Sequence, residues 1–257
     1  MIEPVNACLA LHTEGVALIL DVTAGGLPAV AHWGLDIGEL DMSEIRDLLR
    51  AGVNPVMANL VDEPVHVALL LEHWRGWVGR PGLSGSRVGQ DWSPKFTSVA
   101  LRLNGESIRS SDGSLTLRNH DGPAVVEVDA VDDTARLALS VTVELTVGGL
   151  VRARAILTNR GEPYQLDDLV LSLPVPGVAG EILDFGGRWG RERTPQRRQF
   201  TVGTDLCEGR KGRTGADAAT VLHVGRPGFD FTRGEIWGVH IGWSGNHTHY
   251  AERLSTG

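Results

Sequence analysis

Alternation of apolar and polar residues recurs along almost the whole chain and constrains its fold more than any other feature. The two longest alternating runs are ARLALSVTVELT and LVRARAILTNR, on either side of Val147-Gly148-Gly149. Successive side chains of a strand point to opposite faces, so a period of two predicts half-buried strands. Runs of ten or more residues are long for strands and favour a large sandwich over a small barrel.

Shorter strands are predicted where an alternating run is followed by Gly, Asn or Asp, which are residues that favour turns. The segments ACLALHT and VALILDVT flank Glu14-Gly15 and predict a hairpin. Further strands are predicted at PAVAHWG, SVALRLN, SLTLRNH, AVVEVDAVDD, YQLDDLVLSLPVP, ATVLHVG and GEIWGVHIGWSG. The high number of glycines, 33, suits many turns better than long helices.

One helix is predicted, at DMSEIRDLLRAG. Asp41 or Ser43 can cap its start, and Gly52 ends it. An apolar stripe at helical spacing is formed by Met42, Ile45, Leu48 and Leu49. The 257 residues contain no internal repeat and no low-complexity linker. We therefore expect a single all-β domain over 1–257, a large two-sheet antiparallel β-supersandwich with one or two short helices.

Several function classes are disfavoured by composition. No run of about 18 apolar residues occurs, so no membrane-spanning helix is expected. The N-terminus has no basic segment before its apolar residues, so we expect a cytoplasmic protein without a signal peptide. Cys8 and Cys207 are the two cysteines, and they form no ligand-spaced set. We predict neither a cofactor nor a metal, although His247 and His249, with His240 and Glu252 nearby, leave a weak metal alternative to a polar strand face.

Two stretches do not alternate, the one from His73 to Phe96 and the one from Phe185 to Gly215. Both are rich in Gly, Pro, Trp and Arg. We expect both to be long loops on the β scaffold, and long loops of compact domains are often functional.

The second stretch contains GGRWGRERTPQRRQF, with five arginines in an acidic chain of net charge −8. The stretch from Arg188 to Arg213 contains seven arginines, Lys211 and three acidic residues, so its net charge is +5. The rest of the chain therefore carries a net charge of −13. The overall pI of about 5.6 and the lack of a recognition helix argue against nucleic acid. Guanidinium groups pair with carboxylates and aromatic faces at interfaces, so the alternatives are a clamp on an acidic partner surface and a solvated loop. The arginines assigned to this interface are Arg188, Arg191, Arg193, Arg197 and Arg198.

The first stretch holds Trp74, Trp77 and Trp92, interleaved with Arg75, Arg80 and Arg87. An exposed indole beside hydrogen-bonding groups can hold a sugar, because the C–H face of the sugar stacks on the ring. Alternatively, the indoles cover the core and find a partner for their N–H groups. We expect at least one of the three to line a site.

Taken together, FGGRWGRERTPQRRQFTVGTDLCEGRKGRTG, GEIWGVHIGWSGNH, EHWRGWVGRPGLSGSR and DWSPKF resemble the N-terminal domain of glycoside hydrolase family 36 α-galactosidases, particularly the actinobacterial branch. The resemblance covers nearly the whole chain. It implies a β-supersandwich similar in fold to galactose mutarotase, followed in full-length members by a (β/α)₈ barrel and a small C-terminal β domain. It also implies retaining hydrolysis of terminal α-galactosides such as melibiose and raffinose, with two barrel aspartates about 5 Å apart.

Neither aspartate is found in this chain. The family nucleophile lies in a Lys-aromatic-Asp motif, but Lys95 precedes Phe96-Thr97 and Lys211 precedes Gly212-Arg213. The acid/base aspartate follows a Gly-Gly-Gly-Arg type segment, and no three consecutive glycines occur. We therefore expect no catalytic residue here and an accessory domain that was separated from its barrel.

The resemblance also implies roles for the two non-alternating stretches. The Trp-rich stretch is expected to reach the substrate pocket through Trp77, with Arg80 and Trp74 as further α-galactoside contacts. The arginines are expected to dock on the barrel or on a neighbouring subunit of a homo-oligomer. The alternatives are a sugar-binding module and a mutarotase-like enzyme, which needs a general acid and base such as His66, Glu72 and His73, or His240 and Glu235.

Overall fold

The computed structural model describes residues 8–23, 25–56, 58, 64–109, 114–118 and 121–255. This part of the chain contains seventeen strands, one α-helix and one 3₁₀ turn. The strands are β1 Cys8–Thr13, β2 Val16–Asp21, β3 Ala29–Leu35, β4 Leu83–Ser86, β5 Ser98–Leu103, β6 Glu106–Ser107, β7 Leu115–Arg118, β8 Ala124–Asp132, β9 Leu137–Leu145, β10 Val151–Asn159, β11 Gln165–Leu169, β12 Glu181–Arg188, β13 Arg191–Gln199, β14 Gly203–Gly209, β15 Val221–Gly225, β16 Ile236–His240 and β17 His247–Arg253. The helix α1 is Met42–Ala51, and the 3₁₀ turn is His73–Arg75.

The chain divides into two compact units, residues 1–174 and residues 175–257. Each unit has its own cluster of buried apolar side chains. No helix among the described residues is long and apolar enough to cross a membrane.

The first sheet of unit 1 has the order β3-β2-β1-β7. The predicted hairpin is confirmed, because β1 and β2 pair antiparallel around Glu14-Gly15. All six residues of β1 are buried, since the strand is covered on both faces. Leu9 and Leu11 face the main core, whereas Cys8 and Ala10 pack in a second cluster with Ile45 of the helix.

The helix α1 lies where the sequence predicts it, and Asp41 is its N-cap. The Asp41 carboxylate accepts hydrogen bonds from the backbone N–H groups of Ser43 and Glu44, while the Glu44 carboxylate accepts one from the Asp41 N–H. This reciprocal arrangement is a capping box and satisfies donors that the first turn leaves unpaired. Of the predicted stripe, Ile45 is buried, while Met42 is exposed at the start of the helix.

The second sheet of unit 1 has the order β10-β9-β8-β5-β6 and contains the two long predicted strands. In β9, the residues at alternate positions from Leu137 to Leu145 are buried, which confirms the period-two pattern. Strand β10 pairs with β9 along nine residues and lies at the edge of the sheet. Its side chains are mostly exposed, in contrast to those of β9. A small third sheet of unit 1 pairs β11 with β4.

Unit 2 contains the sheet β13-β12-β15-β16 and the two-stranded sheet β14-β17. Its core is made of Ala179, Ile182, Phe200, Leu222, Val224 and Ala251. The expectation of a long loop from Phe185 to Gly215 was wrong, because most of this stretch forms β13 and β14. Strand β13 is an exposed edge strand whose side chains are nearly all polar, so its sequence has no apolar period to indicate it.

The all-β, antiparallel fold class with one short helix is confirmed. Every strand pair is antiparallel except β1 with β7, which is parallel. The described strands form five sheets, where the sequence favoured two. That the whole chain, 1–257, acts as one domain stays a prediction.

Candidate functional site

The aromatic segment, defined as residues 72–96 of unit 1, starts with the 3₁₀ turn and includes β4. Trp77 is 9% exposed, so its indole packs into the protein. The indole N–H of Trp77 donates to the backbone carbonyl of Arg80 at 2.8 Å. The carbonyl of Trp77 is 2.9 Å from Nδ1 of His73, which closes the turn around it. Trp77 therefore supports the segment from within in this structure, and its predicted contact with substrate stays a prediction.

The ring of Trp74 is engaged by neighbouring cations. The guanidinium carbon of Arg75 lies 4.7 Å from the ring centroid, and Nζ of Lys95 lies 4.6 Å from it. Cations over an indole are attracted by the negative charge of the ring face. The N–H of Trp74 donates to Oε1 of Glu72 at 2.7 Å.

Arg80 is exposed and faces a carboxylate, since its Nη2 lies 3.6 Å from Oδ2 of Asp168 in β11. Both side chains of this pair are partly open to solvent, 42% and 35% exposed. An exposed ion pair of this kind contributes little to stability, and its charged groups stay accessible to a ligand. Of the three predicted contacts in this segment, Arg80 is the most accessible.

Trp92 is the exposed indole of the aromatic segment, with 61% of its surface accessible. Its ring is tilted by 58° against the ring of His73, with the centroids 6.0 Å apart. The two rings form part of the wall of a small pocket. The other residues that line this pocket are Leu70, Leu71, Glu72, Pro81, Leu83, Ser93, Pro94 and Phe96. The sequence grouped Trp92 with Trp74 and Trp77, but nothing in its spacing showed that this indole rather than Trp77 is accessible.

Arg87 holds the turn that precedes Trp92. Its guanidinium group donates to the carbonyls of Glu162 and Ala135 and to the side chain of Asn159, and it forms an ion pair with Asp91. The turn presents Val88, which is 99% exposed and has φ of +51°. A β-branched residue rarely adopts this left-handed conformation, so the turn is strained at its tip.

In unit 2, the arginine hairpin, defined as β12 and β13 with the turn between them, carries the five arginines of the predicted interface. Arg197 and Arg198 lie at its base and are engaged within the unit. Arg197 donates to Glu181 at 2.6 Å and to the carbonyl of Phe229 at 2.7 Å, and it lies over the Phe229 ring. Arg198 bridges the carboxylates of Asp184 and Asp205.

The tip of the hairpin, residues 188–193, is different. Trp189 is 91% exposed, and Arg191 and Arg193 form no ion pair with any residue that the structure describes. Arg188 makes one long hydrogen bond, to the carbonyl of Trp189 at 3.4 Å. The only acid of the tip, Glu192, accepts the backbone N–H of Gly190 at 2.7 Å and shapes the turn.

An irregularity in the pairing of β12 with β13 lies at the start of this tip. The register between the two strands shifts between Gly186 and Arg188. Gly187 has φ of +153°, and a Cβ atom there would lie 2.3 Å from the carbonyl oxygen of Arg191. Only glycine allows this close approach of the two strands.

The histidines that raised a metal alternative are buried in β17. The rings of His247 and His249 stack with their centroids 5.9 Å apart and an angle of 4° between them. Burial lowers the pKa of His249, and the neighbouring His247 lowers it further. Within the described ranges, no group of three or more His, Cys, Asp or Glu is placed to hold a metal ion.

The residues that could serve as acid and base in a mutarotase-like enzyme lie in different surroundings. His66 contacts the carbonyl of Leu27 at 3.1 Å, and Glu72 is buried. Glu235 pairs with Arg226 on the surface of unit 2. Sequence reasoning did not single out two exposed aromatic residues of unit 2, Trp243 and Phe231. Exposure of an isolated aromatic residue has no signature in the sequence.

The antiparallel β fold with a Trp- and Arg-rich segment is that of a domain found in glycoside hydrolases. The structure superimposes with a TM-score of 0.75 on the family 36 α-galactosidase AgaA of Geobacillus stearothermophilus, with 17% identity over 96% of this chain and 36% of that protein. It superimposes with a TM-score of 0.77 on the α-galactosidase of Lactobacillus brevis, with 15% identity over 96% of this chain and 34% of that protein. At these identities the likeness establishes the fold.

The sequence match establishes the family. Residues 26–257 match the glycosyl hydrolase family 36 N-terminal domain, and the chain belongs to this family. The chain is 32% identical over 226 residues to an α-galactosidase of Escherichia coli, which covers 88% of this chain and 29% of that protein. The chain thus spans about a third of the length of these relatives. The resemblance seen in the sequence motifs is confirmed, and the actinobacterial branch stays a prediction.

Proposed function

We propose that this chain is the non-catalytic β domain of an α-galactosidase that hydrolyses terminal α-galactosides, such as melibiose and raffinose, with retention of configuration. The observation that carries the proposal is the family match over residues 26–257, together with the α-galactosidase relative. The two carboxyl groups of the retaining mechanism belong to the catalytic barrel in this proposal, because the chain has no Lys-aromatic-Asp motif.

The tip of the arginine hairpin is the surface that we assign to docking on the catalytic barrel, or on a neighbouring subunit of a homo-oligomer in the cytoplasm. The tip offers Arg191 and Arg193, which form no ion pair within the described part of the chain, and the exposed indole of the nearby Trp189. Arginine and tryptophan are enriched at the energetic centres of interfaces. An acidic surface with an apolar hollow for the indole is the complementary partner.

Arg197 and Arg198 have a different role in this proposal, although the sequence grouped them with the interface. Both are held by carboxylates of their own unit. They fix the base from which the tip extends, so their effect on docking is indirect.

The aromatic segment is the part that we assign to the rim of the substrate pocket. Arg80 and Trp92 are its accessible polar and aromatic groups. Trp74 and Trp77 support them, Trp74 through its stacked cations and Trp77 from the interior. A substrate contact by Trp77 requires that its indole become uncovered in the complete enzyme.

Proton NMR on this chain, mixed with fresh α-galactose and with an α-galactoside, tests the proposal. We expect neither faster anomer exchange nor release of galactose. Release of galactose would overturn the proposal, since it requires a carboxylate pair within this chain. Accelerated anomer exchange would favour the mutarotase-like alternative. Binding of sugar without turnover would identify a sugar-binding module.

A further inference from the structure

Glu72 connects the two ends of the aromatic segment through one of its two carboxyl oxygens. Oε1 accepts the indole N–H of Trp74 at 2.7 Å and the backbone N–H of Phe96 at 3.0 Å. Phe96 is fully buried, and Glu72 is 4% exposed. A single oxygen atom thus joins the first turn of the segment to its last residue.

The second oxygen, Oε2, is buried and has no hydrogen-bond partner within the described residues. The pocket beside Glu72 is largely apolar, with Leu70, Leu71, Leu83 and Phe96 in its wall. Two charged groups act on the carboxyl from neighbouring elements, Arg75 from the 3₁₀ turn and Asp132 from the end of β8. The other titratable groups of the segment near it are His73, also in the wall of the pocket, and Lys95, over the Trp74 ring.

This asymmetric bonding matches a neutral carboxylic acid better than a carboxylate. In the neutral acid, the carbonyl oxygen Oε1 can accept both hydrogen bonds, and the hydroxyl at Oε2 is a neutral group without an acceptor among the described residues, which costs less than an unpaired buried charge. In the ionised form, a charged oxygen is left in apolar surroundings without a donor, which is costly. Asp132 adds a repulsion to the ionised form.

We propose that Glu72 is a proton-dependent clasp, which holds the two ends of the aromatic segment together when it is protonated and loosens them when it ionises. This inference concerns the conformation of the chain itself and does not depend on the proposed α-galactosidase function. Glu72 acts as a positioning residue for Trp74 and for the segment behind it.

The direction of the pH effect follows from the surroundings. Burial raises the pKa of Glu72 from 4.5 to about 7, while the hydrogen bonds from Trp74 and Phe96 oppose the increase. A raised pKa in the folded state means that the stabilisation is fully present below 4.5 and is lost as the pH rises through about 7. The clasp is therefore closed in mildly acidic solution and opens on the alkaline side of neutrality.

The test follows two reporters across the pH range from about 5 to 9 in this chain. One is the indole N–H signal of Trp74 in NMR spectra, assigned by its loss in Trp74→Phe. The other is the hydrogen exchange of the Phe96 amide, corrected for the intrinsic pH dependence of exchange. We expect the Trp74 signal to titrate with a midpoint near 7, and the protection of Phe96 to fall by up to about tenfold per pH unit between about pH 5 and 7 and to level off above 7.

Glu72→Gln is the decisive variant, because the amide oxygen can accept both hydrogen bonds and the side chain does not ionise. It is expected to keep both reporters in their low-pH state throughout. Glu181→Gln, a carboxylate of unit 2, is the matched control and should titrate like the unaltered chain. Circular dichroism verifies that each variant is folded. The proposal is overturned if the unaltered chain shows no titration, or if Glu72→Gln titrates in the same way.

Discussion

The base and the tip of the arginine hairpin both carry arginines, but the surroundings of these arginines are opposite. At the base, Arg197 and Arg198 are bound by three carboxylates of unit 2. At the tip, Arg191 and Arg193 have no such partner among the described residues, and Trp189 between them and Arg188 is 91% exposed. A cluster of arginines in a sequence can therefore combine structural and interface residues. The two kinds are distinguished by whether each guanidinium group has a carboxylate partner in the fold.

The largest effect is expected at the base, from Arg198→Ala. Asp184 is 5% exposed, and its carboxylate would lose both hydrogen bonds from Arg198. An unpaired buried charge is strongly destabilising, but Arg198 itself is partly solvated, so we expect a loss of about 2 kcal/mol in the free energy of unfolding. Urea denaturation measures it. Arg191→Ala is the control at the tip and should change the value by less than about 0.5 kcal/mol. Equal effects of the two variants would refute the distinction between base and tip.

The next effect is expected on assembly, from Trp189→Ala combined with Arg191→Glu and Arg193→Glu. In the α-galactosidase that we propose for this domain, the triple variant should weaken the docking contact by about 10- to 100-fold. Analytical ultracentrifugation and titration of the separated parts measure this. Arg154→Glu, on the exposed strand β10 of unit 1, is the matched charge reversal and should bind normally. An unchanged assembly in the triple variant would show that the tip is a solvated turn.

A smaller effect is expected from Arg197→Ala, and it depends on pH. The hydrogen bond from Arg197, followed by that from the Gly228 N–H, lowers the pKa of Glu181 below its ordinary value of 4.5. A lowered pKa stabilises the fold above 4.5, and this contribution is lost as the pH falls through the lowered value. Arg197→Ala should therefore lower the urea midpoint at neutral pH by less than Arg198→Ala does. It should also flatten the decrease in stability of the unaltered chain between about pH 5 and 3, and an unaltered slope would contradict the pairing.

The sequence predicted the parts of the fold that carry a local signal, such as periodic burial, a turn between two apolar runs or a helix cap. The hairpin around Glu14-Gly15, the strands on either side of Val147-Gly148-Gly149 and the capped helix were all found where expected. Strand β9 is buried at alternate positions, the hairpin consists of two apolar runs around a turn, and a capping box marks the start of the helix. Strand β13 escaped prediction because its residues are nearly all polar, and an edge strand needs no apolar face.

The candidate sites were predictable only as segments. Three tryptophans in a short glycine-rich stretch indicated an aromatic site. The buried indole of Trp77, however, donates its N–H to the backbone carbonyl of Arg80, and a backbone acceptor cannot be identified from the type of residue. Similarly, Arg198 reaches Asp184 and Asp205 only because three strands, β12, β13 and β14, bring these residues together. Pairing of this kind depends on the register of the strands, which the sequence alone did not establish.

The smallest effect is expected at Arg193, whose backbone lies in the left-handed region with φ of +52°. A side chain is strained by about 1 kcal/mol in this conformation, while glycine is not, although glycine gains more freedom in the unfolded chain. Arg193→Gly should therefore raise the free energy of unfolding by about 0.5 kcal/mol in this chain. Arg191→Gly, at a position without a positive φ, should lower it by a similar amount. If Arg193→Gly destabilises the chain as much as Arg191→Gly does, the Arg193 side chain has a structural role, and the tip resembles the base more than its exposure suggests.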